Sequence, residues 1–133
     1  MKKFLFSITF LFLCQLALSQ IVINELDCDT PSIDDKEFVE LKSNTPNFAL
    51  DGYVVVFFNG SASGGNTSYL TIDLDGYSTD VNGLLLIGST TVTPFPQLVI
   101  APNLIQNGPD AVAVYLGSFY DFPEGTLATQ TNL

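Results

Sequence analysis

Three features of the sequence predict an all-β fold. No stretch after residue 20 carries apolar residues at helical spacing over three turns. Short segments rich in Val, Ile, Phe and Tyr alternate with clusters of Asp, Asn, Gly and Pro, a pattern typical of strands joined by turns. Residues 53–58 are apolar at every position, which suits a central strand covered on both faces. We therefore expect a β-sandwich.

The first nineteen residues are predicted to be a signal peptide. Lys2 and Lys3 precede an apolar run at residues 4–18, and the small residues Ala17 and Ser19 favour cleavage before Gln20. The run is shorter than the roughly 20 residues needed to span a bilayer. We therefore expect a secreted, extracellular protein without a membrane anchor after cleavage, in which residues 20–133 form one domain.

The predicted strands follow one another closely. The first covers residues 21–26. The second, at residues 37–42, places Val39 and Leu41 on one face and Glu40 and Lys42 on the other, the alternation of a half-buried strand. The third, at residues 53–58, is followed by a Gly- and Asn-rich tip and a return strand at 68–74, which together predict a long hairpin. Further strands are predicted at residues 84–87, 97–101, 103–106 and 111–116.

A four-residue motif occurs twice. Leu50-Asp51-Gly52-Tyr53 recurs as Leu74-Asp75-Gly76-Tyr77, 24 residues later. Asp accepts local backbone hydrogen bonds and Gly adopts a positive φ angle, so each copy predicts a turn. We interpret the recurrence as convergent turn chemistry rather than as a true repeat.

Charge and residue types exclude several classes of function. The chain carries 14 Asp and Glu, four Lys and Arg, and no histidine. Loss of Lys2 and Lys3 with the signal peptide would leave a formal charge of −12, which repels phosphate backbones and acidic membranes. Without histidine there is no Ser-His-Asp triad, no Cys-His pair and no His-based zinc site. We expect neither an enzyme nor direct nucleic-acid binding.

Cys28 would be the single cysteine after cleavage, because Cys14 lies in the predicted signal peptide. No internal disulfide could then form in the exported protein. We expect Cys28 to be a buried small side chain. The alternative is a thiol available for pairing with another chain.

An acidic cluster surrounds the connection between the first two predicted strands. Seven carboxylates fall within 16 residues: Glu25, Asp27, Asp29, Asp34, Asp35, Glu37 and Glu40. Hard oxygen ligands suit Ca²⁺. The first six are therefore candidate calcium ligands, with Glu25 and Glu37 held most rigidly at strand ends. The spacing does not match an EF-hand loop, and the alternative is a solvated acidic loop. No other cofactor is expected.

Two further sets of residues are candidate surface features. Asn59 and Asn66 begin N-glycosylation sequons on the predicted hairpin tip, which matter only in a eukaryotic host. Turn geometry explains Asn59-Gly60 equally well. Phe119, Tyr120 and Phe122 lie in the C-terminal tail, where we expect packing over the sandwich edge; the alternative is a contact patch.

The segments INEL at 23–26, EFVEL at 37–41, LDGY at 50–53, FFNG at 57–60 and NLIQNGPDAVAVY at 103–115 occur in a characteristic order. In this order they resemble the lamin tail domain family, in particular its secreted members. The resemblance covers most of residues 21–129 and implies an immunoglobulin-like β-sandwich. It also implies another strand after the segment at 129–133, so the domain is expected to be truncated or to accept a strand from a partner.

Three functional hypotheses follow. The leading one is a secreted, non-catalytic binding or adhesion module of lamin-tail type, whose partner is an unidentified extracellular protein or surface. The second is an N-terminal accessory domain of a longer secreted nuclease or phosphoesterase, a combination that the resemblance implies. The third is a calcium-dependent extracellular module, in which calcium would raise the melting temperature.

Overall fold

Seven strands arranged in two sheets form the described part of the protein. The computed structural model describes residues 20–31 and 33–129, so the predicted signal peptide lies outside the described residues. The strands are β1 (Ile21–Asp27), β2 (Phe38–Ser43), β3 (Tyr53–Asn59), β4 (Thr67–Asp73), β5 (Leu84–Gly88), β6 (Leu98–Val99) and β7 (Ala111–Leu116), and a 3₁₀ turn spans Phe119–Asp121. The prediction of an all-β fold is confirmed.

The two sheets have different strand orders. The first sheet runs β1-β2-β5-β6, with β5 and β6 parallel and the other neighbours antiparallel. The second sheet runs β4-β3-β7 and is antiparallel throughout. The predicted hairpin is present as β3 and β4, and β3 is the central strand of its sheet. Both sheets contribute to one core, which is a β-sandwich-like arrangement.

The core between the sheets is built from alternate residues of the inner strands. Val39 and Leu41 of β2 are fully buried, while Glu40 and Lys42 point outward as the alternation predicts. From β5 the core receives Leu85 and Ile87, and from β3 it receives Val55 and Phe57. The opposite face of β3 is also buried and forms a second cluster of Val54, Val56, Phe58, Tyr115 and Phe122.

The second cluster is covered by residues 118–129, here called the C-terminal strap. The Phe122 ring stacks on Tyr115 with centroids 4.5 Å apart, and the Thr71 hydroxyl donates to the Phe122 carbonyl at 2.8 Å. The strap then pairs with the start of β4, where the Ser68 amide donates to the Thr126 carbonyl at 2.8 Å. The strap therefore closes the outer face of the second sheet.

The aromatic residues of the strap do not share one role. Phe122 is 6% exposed and packs on the sheet, as expected, but Phe119 and Tyr120 are exposed and contact each other edge to face. The turn that carries them is capped by Ser118, whose hydroxyl accepts from the Tyr120 amide, and by Asp121, whose carboxylate accepts from the Ser118 amide. This capping box fixes the backbone of the turn that carries the two exposed rings.

Two predicted strands differ in the structure. The strand expected at residues 97–101 is reduced to β6, and the one expected at residues 103–106 is absent. Asn103 has a φ angle of +57°, which interrupts extended backbone. The Leu104 amide donates to the carboxylate of Glu37 rather than to a neighbouring strand. The Glu37 side chain therefore accepts the hydrogen bond that a neighbouring strand would otherwise accept.

The recurring LDGY motif forms a reciprocal pair of turns. The Gly52 amide donates to Asp75 Oδ1 at 2.6 Å, and the Gly76 amide donates to Asp51 Oδ1 at 2.8 Å. Both glycines have φ angles near +80°, as the third residue of a type II turn requires. If the β3–β4 register is extended beyond the start of β3 and the end of β4, Gly52 lies opposite Asp75 and Asp51 lies opposite Gly76. The hairpin geometry thus brings the two copies together, and we call the pair the turn clasp.

We expect Asp51→Ala and Asp75→Ala each to lower the free energy of unfolding by about 1 kcal/mol, because each removes the acceptor of one backbone amide. Chemical denaturation monitored by tyrosine fluorescence measures the change. Asp29→Ala is the matched control, since Asp29 is an exposed loop aspartate whose carboxylate accepts no hydrogen bond from the described residues. Equal stability of all three variants would contradict a stabilising clasp.

Candidate functional site

Three loops meet at one end of the molecule, which we call the acidic end. They are the β1–β2 loop at residues 28–37, the hairpin tip at 60–66 and the β6–β7 loop at 100–110. Two side-chain amides join them to their neighbours: Asn59 donates to Gln106 Oε1 at 2.8 Å, and Asn107 donates to Asp34 Oδ2 at 2.7 Å. The β6–β7 loop is therefore fastened to both sheets.

Glu37 is the buried carboxylate of the acidic end. Its side chain has no exposed surface, and Oε2 accepts the Leu104 amide at 2.8 Å. Oε1 is buried without a hydrogen-bond partner among the described residues. Burial raises the pKa of Glu37, and the backbone N–H groups of Leu104 and Ile105 act in the opposite direction. This carboxylate fixes the start of β2 to the β6–β7 loop.

Asp34 behaves in the opposite way. Its Oδ1 accepts the Thr30 amide at 3.1 Å and the Thr30 hydroxyl at 3.2 Å, while Oδ2 accepts the Asn107 amide group. The Thr30 backbone N–H and then the Asn107 side chain lower the pKa of Asp34, because both bond to the charged form. Asp34 is thus the acceptor that holds the β1–β2 loop in shape.

The structure does not gather the predicted calcium ligands into one group. Glu25 is exposed on β1 opposite Glu40, and Asp27 at the end of β1 accepts the Asp29 amide at 3.3 Å. Within residues 20–31 and 33–129, no three His, Cys, Asp or Glu side chains lie where they could hold a metal ion. A shallow, open depression of about 410 Å³ is lined by Thr30, Pro31, Ile33, Asp35 and Lys36. Calcium binding stays a prediction.

Several residues of the acidic end were not singled out from the sequence. The Gln106 amide donates to the Tyr69 hydroxyl at 3.1 Å, and burial raises the pKa of Tyr69 to about 12. Asp110 Oδ1 accepts the Gly60 amide at 3.2 Å, which ties the hairpin tip to the start of β7. The Asn, Gln and Asp residues around the Asn-Gly turns were the available signal for these hydrogen bonds. Their partners could not be predicted because they lie far away in the sequence.

Cys28 follows β1 and packs against the core as expected, but it is half-buried rather than buried. Burial raises the pKa of the Cys28 thiol, and the nearby carboxylates of Asp27 and Asp29 raise it further. The thiol is therefore kept protonated and weakly reactive at neutral pH.

The two sequons occupy different environments. The Asn59 amide nitrogen is committed to Gln106, and its carbonyl oxygen accepts the Ser61 amide at 2.9 Å. Asn66 is exposed, with a φ angle of +59° at the base of the hairpin tip. Glycosylation in a eukaryotic host stays a prediction, and of the two sites Asn66 presents the accessible amide.

β7 forms one edge of the second sheet: β1 of the first sheet comes close to it, but no strand among the described residues is hydrogen-bonded to its outer side. The Gly117 amide donates to the Gly52 carbonyl. In the antiparallel β3–β7 register, residues whose backbone groups bond to β3 alternate with residues whose backbone groups point away from it. Odd-numbered residues therefore bond to β3, whereas Val112, Val114 and Leu116 direct their backbone groups away from it. The sequence of β7, AVAVYL, contains no charge or proline that would protect this edge.

The described part of the chain contains no helix long and apolar enough to cross a membrane. In comparisons with known proteins, the chain matches no family model and no curated protein.

We expect Glu37→Ala to lower the free energy of unfolding by about 1–3 kcal/mol, because the Leu104 amide loses its acceptor. Glu25→Ala is the matched control: an exposed strand glutamate whose loss changes stability by less than about 0.5 kcal/mol. Denaturant unfolding of both variants at neutral pH measures the difference. Similar values for the two variants would contradict the anchoring role of Glu37.

Glu37→Gln tests the pH dependence. A raised pKa means that the folded protein favours the neutral acid, so this contribution is fully present at low pH and is lost as the pH rises through the raised value. Glutamine does not titrate. The original protein should therefore gain stability relative to Glu37→Gln as the pH falls from neutral to mildly acidic. The lowered pKa values of Asp34 and Asp80 contribute in the opposite direction but are common to both proteins. A constant difference would contradict the shift.

Proposed function

We propose that the protein is an extracellular, non-catalytic binding module of lamin-tail type that engages an extended segment of its partner along the free edge of β7. The observation that carries the proposal is the uncharged outer edge of this strand. An incoming strand can pair with the outward backbone groups of Val112, Val114 and Leu116, the mode of recognition called β-augmentation. Backbone pairing supplies affinity without requiring a deep pocket.

An exposed apolar side chain at the edge supports the same mode of binding. Leu116 is 52% exposed at the end of β7. An apolar partner side chain could pack on it while the backbones pair.

Charge favours a basic partner. The described residues contain two lysines, Lys36 and Lys42, against 14 carboxylates. A field of this sign accelerates association with a positively charged segment and disfavours acidic ones. The proposed partner is therefore an extended, apolar segment flanked by basic residues, on an extracellular protein.

The extracellular assignment rests on the basic residues and apolar run at the start of the sequence. The lamin-tail and immunoglobulin-like assignments rest on the order of the five sequence segments. The two-sheet, all-β architecture is the coarse fold that this resemblance implies. The non-catalytic assignment rests on the absence of histidine from the sequence.

A synthetic peptide tests edge pairing directly. The probe carries the sequence AVAVYL flanked by lysines, and fluorescence anisotropy measures its binding to the protein. We expect Leu116→Pro to weaken binding about tenfold, because proline removes an outward N–H and obstructs the edge. Leu116 is exposed, so its replacement removes little core packing.

Val99→Pro is the matched control. Val99 is 45% exposed on β6, and the Ile100 amide bonds to the Gly88 carbonyl, so the Val99 N–H also points away from its sheet. This variant should bind the peptide as the original protein does. A peptide N-methylated at alternate residues should not bind. Equal binding by the Leu116→Pro and original proteins would overturn pairing at β7.

A further inference from the structure

Three Asn-Gly dipeptides occur in the described chain, at Asn59, Asn82 and Asn107. In such a pair the backbone nitrogen of glycine can attack the side-chain carbonyl carbon of asparagine, because no Cβ obstructs the approach. A C–N bond forms, ammonia leaves and a succinimide results. Water then opens the ring at either carbonyl to give aspartate or isoaspartate. The net change consumes one water and releases one ammonia, without an oxidant or reductant.

In two of the pairs, hydrogen bonds oppose this reaction. The Gly60 amide donates to Asp110 Oδ1, and the side chain of Asn59 is bonded at both its nitrogen and its oxygen. The Gly83 amide donates to the Asp80 carbonyl at 3.0 Å, and Gly83 is buried. In both pairs the attacking nitrogen is engaged as a hydrogen-bond donor.

The third pair is different. Asn107 and Gly108 are both exposed, and the Gly108 amide donates to no group among the described residues. One bond restrains the Asn107 side chain, its donation to Asp34 Oδ2 at 2.7 Å. Water can therefore reach the nitrogen that must lose its proton, and breaking one exposed hydrogen bond frees the asparagine carbonyl.

We propose that Asn107-Gly108 is a site of spontaneous deamidation, and that the carboxylate it creates releases the β6–β7 loop from the β1–β2 loop. The asparagine amide donates to Asp34, whereas the product presents a second carboxylate to the same oxygen. A donor and acceptor pair becomes two like charges within hydrogen-bonding distance, which repel each other. Modification of one side chain thereby weakens the contact between the β6–β7 loop and the β1–β2 loop.

The protein's own asparagines provide the comparison. Purified protein is incubated at mildly alkaline pH, and peptide mapping by mass spectrometry follows conversion at all three sites in folded and in urea-denatured samples. In the folded protein we expect conversion at Asn107, with Asn59 and Asn82 about tenfold slower or more, because intact hydrogen bonds limit local opening. In urea the three sites should convert at similar rates.

Gly108→Ala supplies a matched variant. A Cβ at this position would lie 3.7 Å from Asp110 Oδ1, an ordinary contact, so the variant should fold, whereas a Cβ at Gly60 or Gly83 would collide with a backbone oxygen. The added methyl group should suppress conversion at Asn107. Conversion at Asn59 or Asn82 as fast as at Asn107 in the folded protein would overturn the proposal. So would conversion confined to urea.

A second pair of variants tests release of the loop. Asn107→Ser loses the bond to Asp34, and Asn107→Asp loses it and adds the charge. We expect the aspartate variant to melt at a lower temperature than the serine variant at low salt, with the gap narrowing at high salt as the repulsion is screened. Limited proteolysis should cut residues 101–110 faster in the aspartate variant. Identical melting and proteolysis of the two variants would overturn the proposed release.

Discussion

β3 contains five consecutive apolar residues, 54–58, and a strand of this kind must be covered on both faces. The first sheet covers one face and the C-terminal strap covers the other, so all five side chains are at most 2% exposed. Each such burial contributes about 1.5–3 kcal/mol. The strap therefore contributes to the fold as a third layer, and its pairing with β4 fixes where the chain runs after β7.

Most of the strands could be predicted from sequence because their signals are local. Alternation in β2 and unbroken apolarity in β3 report directly on which faces are buried. The error at residues 103–106 has a long-range cause, since the Leu104 amide bonds to Glu37, 67 residues away in the chain. A buried carboxylate cannot be recognised from its neighbours along the chain, because burial depends on what packs around it.

The acidic end shows how tertiary structure separates residues that look equivalent in sequence. Asp34 and Glu37 are three positions apart, yet hydrogen bonds lower the pKa of the first and burial raises the pKa of the second. The sequence located the cluster but could not assign partners, because the amides of Asn107 and Leu104, which bond to Asp34 and Glu37, arrive from the β6–β7 loop. The clasp partners were more accessible to prediction: pairing β3 with β4 already sets Gly52 opposite Asp75.

The turn clasp also bears on the order of folding. It closes the open end of the β3–β4 hairpin, so residues 50–77 carry their own cross-strand bonds, two type II turns and the buried side chains of Leu50 and Leu74. These contacts span short stretches of chain, and their loop-closure entropy is small. The β3–β7 and β2–β5 pairings must instead close across longer separations in the chain. We expect the clasped hairpin to form early and to serve as the template on which the remaining strands assemble.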